Sequence, residues 1–371
     1  MKKVIGIYCG GLTYNYNKKW DSTVVRTEPC GGSETWTVEV ASKLNSYGFH
    51  VIVFCNCEYW HFDQEGIEYV PYTLFRPRCG YQHFDYFISS RLINGIIDEL
   101  SCDNIYIMTH ERCGIFDKYW GNFAKPEDIP LDRVKKVVVL SEWNKRELLK
   151  AYPNIPENKI MVTFNGIDTG NYDNVEDYEK SNKMLWSTCL DRGITFFGEY
   201  VIDKIKAEVP DFELGICSYN TDIHGAVPER DWIKYYGPLT KDVLSEYQKE
   251  SKIWILPNYG FNDRGEPLQE SCPLTAIENM YAENAIVCWE CGGTADVLKG
   301  YSGMLDSSFL TEHNPTDEEK EQLGRMLADN AIKILKDDNY RKSLVRELKK
   351  IRNKYTWENS AITWIKEWIQ C

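Results

Sequence analysis

The sequence predicts an α/β chain of two doubly wound domains, each a parallel sheet with helices on both faces. Three observations carry that expectation. Short apolar runs alternate with stretches of helical periodicity along most of the 371 residues, the pattern of strand, crossover helix and parallel strand. The alternation breaks once, in the polar and acidic "DTGNYDNVEDYEKSNK", and then restarts; such a break suits a linker. The length suffices for two domains of ordinary size. The expected boundaries are residues 1–168, a linker at 169–182, and 183–355, with a final helix at 356–371 packing back on the first domain.

Taken in order, "KVIGIYC" reads as a buried strand and "SETWTVEVASKLNSYG" as a helix with Ser33 as its N-cap and Gly48 as its stop. "HVIVFCN" is a strand, and "FDYFISSRLINGIIDEL" is expected to be a helix. "NIYIMTH" and "KKVVVL" are strands, "SEWNKRELLKAY" a helix capped by Ser141, and "KIMVTFN" a strand. After the linker come "MLWSTC" (strand), "TFFGEYVIDKIKAEV" (one helix), "FELGICS" (strand) and "IKYYGPL" (strand or turn). "TKDVLSEYQKE" is a helix, "SKIWILPNY" and "AIVCWE" are strands, "GGTADVL" turns into a short helix, and "WENSAITWIKEWIQC" is the last helix.

A net charge of −13 disfavours a protein built to grip nucleic-acid phosphates. The basic runs "RVKK" and "RELKKIRNK" read as solvated faces. No stretch approaches the ~18–20 apolar residues of a membrane span, and "MKKVIGIYCGG" lacks a signal-peptide core. The expectation is a cytoplasmic protein, with peripheral contact at the cytoplasmic face of a membrane left open. The 13 cysteines are an odd number scattered through apolar segments, which points to reduced, buried thiols. Neither Cys55 with Cys57 nor Cys288 with Cys291 has partners at zinc-ligand spacing.

The stretch that carries chemistry is "ESCPLTAIEN", residues 270–279. Pro273 suits the opening of a helix, so the amides of Cys272, Leu274 and Thr275 stand at the positive end of its dipole, a ready anion site. Glu270 precedes that turn and Glu278 lies between one and two turns inside it. A diphosphate docked there would have a carboxylate on either side. Taken alone, such a pair is equally a capping acid and a surface glutamate.

Six stretches together make the sequence resemble the retaining GT-B glycosyltransferases of the large family 4 group. These are "CGGSETWTVEVASKL", "VVVLSEWNKRELL" with "FNGID", "STCLDRGITFF", the two glutamates with seven residues between them, "ECGGTADVL" and "YTWENSAITWIKEWI". The resemblance spans nearly the whole chain. It implies two Rossmann-like domains facing a central cleft, the first binding the acceptor and the second a nucleoside-diphosphate sugar. It implies that Glu270 positions the sugar, that Glu278 holds the ribose, and that Gly31 and Gly32 let backbone approach the donor phosphates. His110, at a strand end, would lie beside the donor sugar, and Arg192 in "LDRG" would stabilise the leaving diphosphate. Ser187 stands where many relatives carry a second cation. Asn284 replaces the usual glycine after the second helix and is expected to take its left-handed backbone.

The resulting expectation is a hexosyltransferase that moves a sugar with retention onto a hydroxyl of a glycan, lipid-linked or small-molecule acceptor. No cofactor is expected, and no metal, since the chain has no Asp-x-Asp triplet. Two other readings share the architecture: a sugar-nucleotide 2-epimerase and a non-catalytic nucleotide-sugar-binding scaffold. The donor base, the acceptor and the oligomeric state are not legible. The aromatic loops "TYNYNKKW", "EYWHF" and "CGYQHFDYF" suit acceptor stacking and core packing equally.

Overall fold

The structure is a computed structural model that describes residues 2–11, 18–112, 114–117, 122–218, 227, 229–262, 265 and 268–369. Most of "TYNYNKKW" lies outside the described residues. The chain divides into two compact units, Met1–Gly166 with Thr356–Cys371, and Ile167–Tyr355.

Among the described residues, unit 1 is built on eight strands: β1 (Val4–Tyr8), β2 (His50–Cys55), β3 (His61–Phe62), β4 (Glu68–Pro71), β5 (His83–Ser90), β6 (Ser101–Met108), β7 (Val134–Val139) and β8 (Ile160–Val162). Their order is β3-β4-β2-β1-β5-β6-β7-β8, parallel throughout except for the antiparallel edge strand β3. The helices are α1 (Ser22–Thr27), α2 (Gly32–Ser46), α3 (Phe75–Cys79) and α4 (Glu142–Ala151). The central strands are buried on both faces, as parallel sheets require.

"FDYFISS" is strand β5 and not the expected helix. Phe84, Phe87 and Ile88 are fully buried along it, and a run rich in aromatic and β-branched residues, broken only by Asp85, suits a two-sided central strand. Ser33 is not the cap of α2. That helix starts two residues earlier, at Gly32 behind Gly31, with no side-chain cap. Ser141 does cap α4, its hydroxyl accepting from Asn144 N at 3.1 Å. The aromatic loops divide in their burial, Phe84 being core while Tyr59, Trp60, Phe62 and Tyr81 are exposed.

Unit 2 carries β9 (Lys183–Trp186), β10 (Glu213–Ile216), β11 (Ile233–Tyr235), β12 (Ile253–Leu256), β13 (Ala285–Trp289) and β14 (Met304–Leu305), all parallel. They form two sheets, β11-β10-β9 and β12-β13-β14. A bridge between Ser181 and Ser251, with Lys252 N donating to Lys183 O at 3.2 Å, joins them along β9 and β12. The combined order is that of a doubly wound dinucleotide-type sheet, with its topological switch between β9 and β12. The helices are α5 (Ile194–Tyr200), α6 (Ile202–Glu208), α7 (Lys241–Glu250), α8 (Leu274–Tyr281), α9 (Gly292–Val297), α10 (Asp317–Lys336) and α11 (Asp338–Arg352). The single helix expected at 195–209 is broken into α5 and α6 at Val201, whose φ of −121° departs from helical values.

The chain ends in α12 (Trp357–Ile369), which packs in unit 1. Trp364 reaches Trp36 of α2 with ring centroids 6.0 Å apart, and Trp368 stacks on Tyr86 at 4.3 Å. Gly166 permits this return, because a Cβ there would sit 2.2 Å from the backbone of Thr356. Among the described residues, no helix is long and apolar enough to cross a membrane.

Candidate functional site

In an open parallel sheet, loops that follow adjacent strands in opposite directions leave a crevice at the switch point. In unit 2, the loop after β9 carries Arg192 and the loop after β12 carries Glu270. Arg192 Nε stands 2.9 Å from Glu270 Oε1, with side chains 27% and 19% exposed, so the pair is held yet reachable. Gly193 turns the chain directly behind Arg192 with φ +99°, a backbone that favours glycine, and α5 starts from it.

Glu270 is supported from below. Gly293 N donates to Glu270 O at 2.7 Å, and a Cβ on Gly293 would lie 1.8 Å from Ser271 O. The glycine pair of "ECGGTADVL" therefore lets α9 approach the backbone that presents Glu270. A cavity beside it is lined by Leu256, Asn258, Gln269, Glu270, Trp289 and Thr294 among others.

Helix α8 opens just beyond, at Pro273, with no side-chain cap and no acid in its first turn. Leu274 and Thr275 are half-buried there and Cys272 is buried. The amides of that turn point along the positive end of the helix. Glu278 is 3% exposed and is not paired with Arg192. Its carboxylate takes Lys241 Nζ on one oxygen and Gln248 Nε2 on the other, the latter at 3.3 Å. Tyr172 O–H donates to Gln248 Oε1 at 2.6 Å and orients the amide. Sequence reasoning missed Lys241, Gln248 and Tyr172, since nothing in their spacing ties α7 or the 169–172 turn to α8. The expected left-handed residue after α8 is Glu283 (φ +59°), not Asn284. Asn284 is buried and its Nδ2 bonds Gln248 O and Asn279 Oδ1 instead.

Unit 1 has its own switch point between β1 and β5. Gly31 has φ −70° and Gly32 already belongs to α2, so neither is needed for a left-handed turn. His110 follows β6. Its ring meets Trp36 edge-on at 5.2 Å, and Ser90 Oγ lies 3.4 Å from Nε2. Burial, aided by the nearby Arg91 guanidinium, pushes the His110 pKa down to about 3. The ring is therefore neutral at pH 7 and can donate or accept one hydrogen bond at each nitrogen.

Arg91, unmarked by the sequence reading, joins these segments. Its Nη1 donates to Ser33 Oγ at 3.0 Å and its Nη2 pairs with Glu111.

Among the described residues no three His, Cys, Asp or Glu side chains gather as metal ligands. The described cysteines are free thiols. Burial pushes Cys288 up strongly and Cys291 up to about 12, which keeps both protonated.

No family model matches the sequence. The chain is 21% identical over 246 residues to an uncharacterized glycosyltransferase of Methanocaldococcus jannaschii, a match covering 61% of this chain and 57% of that relative. The match thus spans less than two thirds of the relative's length. A glycosyltransferase from Rickettsia africae superposes with a TM-score of 0.67 at 15% identity, over 100% of this chain and 98% of its own. The Anabaena protein Alr3699/HepE, solved with UDP and glucose, superposes with a TM-score of 0.64 at 10% identity over 100% of both chains. Similarity of this extent, over parallel sheets wrapped by helices, gives the chain the GT-B fold.

Proposed function

We propose that the protein is a glycosyltransferase that takes a sugar from a nucleoside-diphosphate donor. The observation that carries this reading is the Arg192–Glu270 pair at the switch point of unit 2, beside the uncapped start of α8. A guanidinium and a set of helix-terminal amides form a site for a diphosphate, and a buried carboxylate such as Glu278 suits two ribose hydroxyls. The UDP-bound and UDP-glucose-bound structures of the Anabaena protein support a donor of that class.

In this mechanism the negative charge that grows on the departing diphosphate meets Arg192 and the α8 amides, which need little reorganisation to stabilise it. Glu270 releases Arg192 to the phosphate and accepts hydroxyls of the sugar. Glu278 exchanges its Lys241 contact for the ribose. In unit 1, His110 is a neutral group able to hydrogen-bond a sugar, and the Gly31–Gly32 turn lets backbone approach a phosphate. Transfer of a hexose with retention, without a metal, to a hydroxyl on a glycan or lipid-linked acceptor completes the proposal. The departing phosphate oxygen takes the acceptor proton as the new bond forms.

The deciding experiment is a thermal-shift screen of UDP, ADP, GDP and their sugars, with chelator present. A ligand at about a hundred times its Kd stabilises by roughly 2.7 kcal/mol, so a base-specific rise names the donor. Turnover of that donor with an acceptor panel then supports transfer. Isomerised donor without any acceptor would mean an epimerase, and binding without turnover a scaffold. No rise with any nucleotide would overturn the reading.

A further inference from the structure

We infer that Arg91 is a positioning residue that ties the glycine-pair turn at the start of α2 to the strand-end segment carrying His110. Its consequence for turnover rests on the glycosyltransferase reading, whereas its geometry rests on unit 1 alone.

Arg91 directly follows β5 and holds φ +70°, a region that side chains other than glycine, asparagine and aspartate seldom occupy. Its backbone is pinned on both sides, Arg91 N donating to Met108 O and Arg91 O accepting from Phe116 N, each at 2.7 Å. The side chain is 8% exposed, and its guanidinium carbon lies 5.4 Å from the Phe116 ring centroid. One arm of the guanidinium reaches Ser33 on α2 at 3.0 Å and the other reaches Glu111, the residue after His110.

Both ends of this tie are fixed further back. Ser33 Oγ donates to Glu34 Oε2 at 2.9 Å, and Glu34 is 5% exposed. On the other side, Asn144 Nδ2 donates to Glu111 O at 2.9 Å and to Arg112 O at 2.7 Å. The result is a run Glu34–Ser33–Arg91–Glu111 crossing the unit 1 switch point. The charged group that bears on His110 is Arg91, with Ser90 and Trp36 as uncharged neighbours. A lysine has one ammonium and cannot reproduce a planar fork that serves two partners in different directions.

The test compares wild type with Arg91→Asn and Arg91→Lys. Asparagine tolerates the left-handed backbone, so it removes the guanidinium without adding strain. Two quantities are read: titration of His110 by imidazole NMR, and turnover of whichever of UDP-glucose, ADP-glucose and GDP-mannose the wild type consumes. The expected result for Arg91→Asn is a His110 pKa that rises while burial still holds it below the ordinary value, and kcat lowered at least tenfold with the donor KM within threefold. Arg91→Lys keeps the His110 pKa low yet recovers only part of kcat. A side chain that merely supported the fold would lower Tm and leave both readouts unmoved. Wild-type kcat or a wild-type His110 titration in Arg91→Asn overturns the inference. A wild type that consumes none of the three sugars counts against the glycosyltransferase reading instead, and the titration then decides the role of Arg91.

Discussion

Each unit of this chain sets an arginine–carboxylate pair in a loop at the switch point of its parallel sheet, and the two arginines differ in burial. In unit 1, Arg91 is 8% exposed, anchored to Ser33 and Glu111, and held on a strained backbone. In unit 2, Arg192 is 27% exposed and meets Glu270 from a loop turned by Gly193. The same two functional groups therefore serve different purposes. A buried guanidinium whose two terminal nitrogens are engaged by Ser33 and Glu111 holds those partners in place. One that remains partly in solvent can exchange its carboxylate for a ligand at small cost, because exposed ion pairs are worth about 1 kcal/mol or less.

The largest effect is expected from Arg192→Ala, where turnover of the donor should fall about 100-fold or more while Tm stays close to wild type. A large drop in Tm with unchanged kcat would erase the distinction between the two arginines. Next comes Glu111→Ala, which leaves the buried Arg91 guanidinium without its carboxylate; with Glu111 itself 25% exposed, the cost is about 1–3 kcal/mol, measurable as a shift of the urea midpoint. Stability within 0.5 kcal/mol of wild type would place Arg91 in the same class as Arg192.

The third expectation concerns pH. His110 has its pKa depressed to about 3 in the folded chain, against about 6.5 unfolded. The unfolded chain therefore binds a proton below pH 6.5 that the folded chain refuses. Stability from this group is complete above that pH and is lost as pH falls toward 3. Between pH 7 and pH 5 the loss is on the order of 2 kcal/mol, and His110→Gln should remove that part of the slope in chemical unfolding. The smallest effect is Glu278→Gln, expected to raise the donor KM about tenfold, roughly 1.4 kcal/mol of charge-assisted hydrogen bonding, with kcat nearly unchanged. An equal loss in kcat would move Glu278 from ribose binding to the reacting end of the donor.

Much of this contrast was hidden by one misread element. The run from Phe84 to Ile88 has a single polar residue, Asp85, and is otherwise buried, so periodicity cannot separate strand from helix there. The apolar residues that follow, Leu92, Ile93, Ile96 and Ile97, fall at helical intervals and extend the illusion. Inside a helix Arg91 would be an ordinary surface cation; at the end of β5 it sits at a switch point. The unit 2 site was more legible because its signals are local. A proline opening a helix, an acid before it and a glycine pair that permits close packing all lie within 24 residues, from Glu270 to Gly293. Lys241 and Gln248 were not legible, since they meet Glu278 only through tertiary packing of α7 on α8.

The return of α12 also bears on how the protein matures. Trp364 is fully buried and lies against Trp36, which in turn meets the His110 ring. The wall behind that histidine is thus laid down by a helix that leaves the ribosome only after the whole of unit 2 has been made. A nascent chain stopped at Tyr355 would carry every residue of unit 2, while the indole of Trp36 waited uncovered for a chaperone or for its missing neighbour.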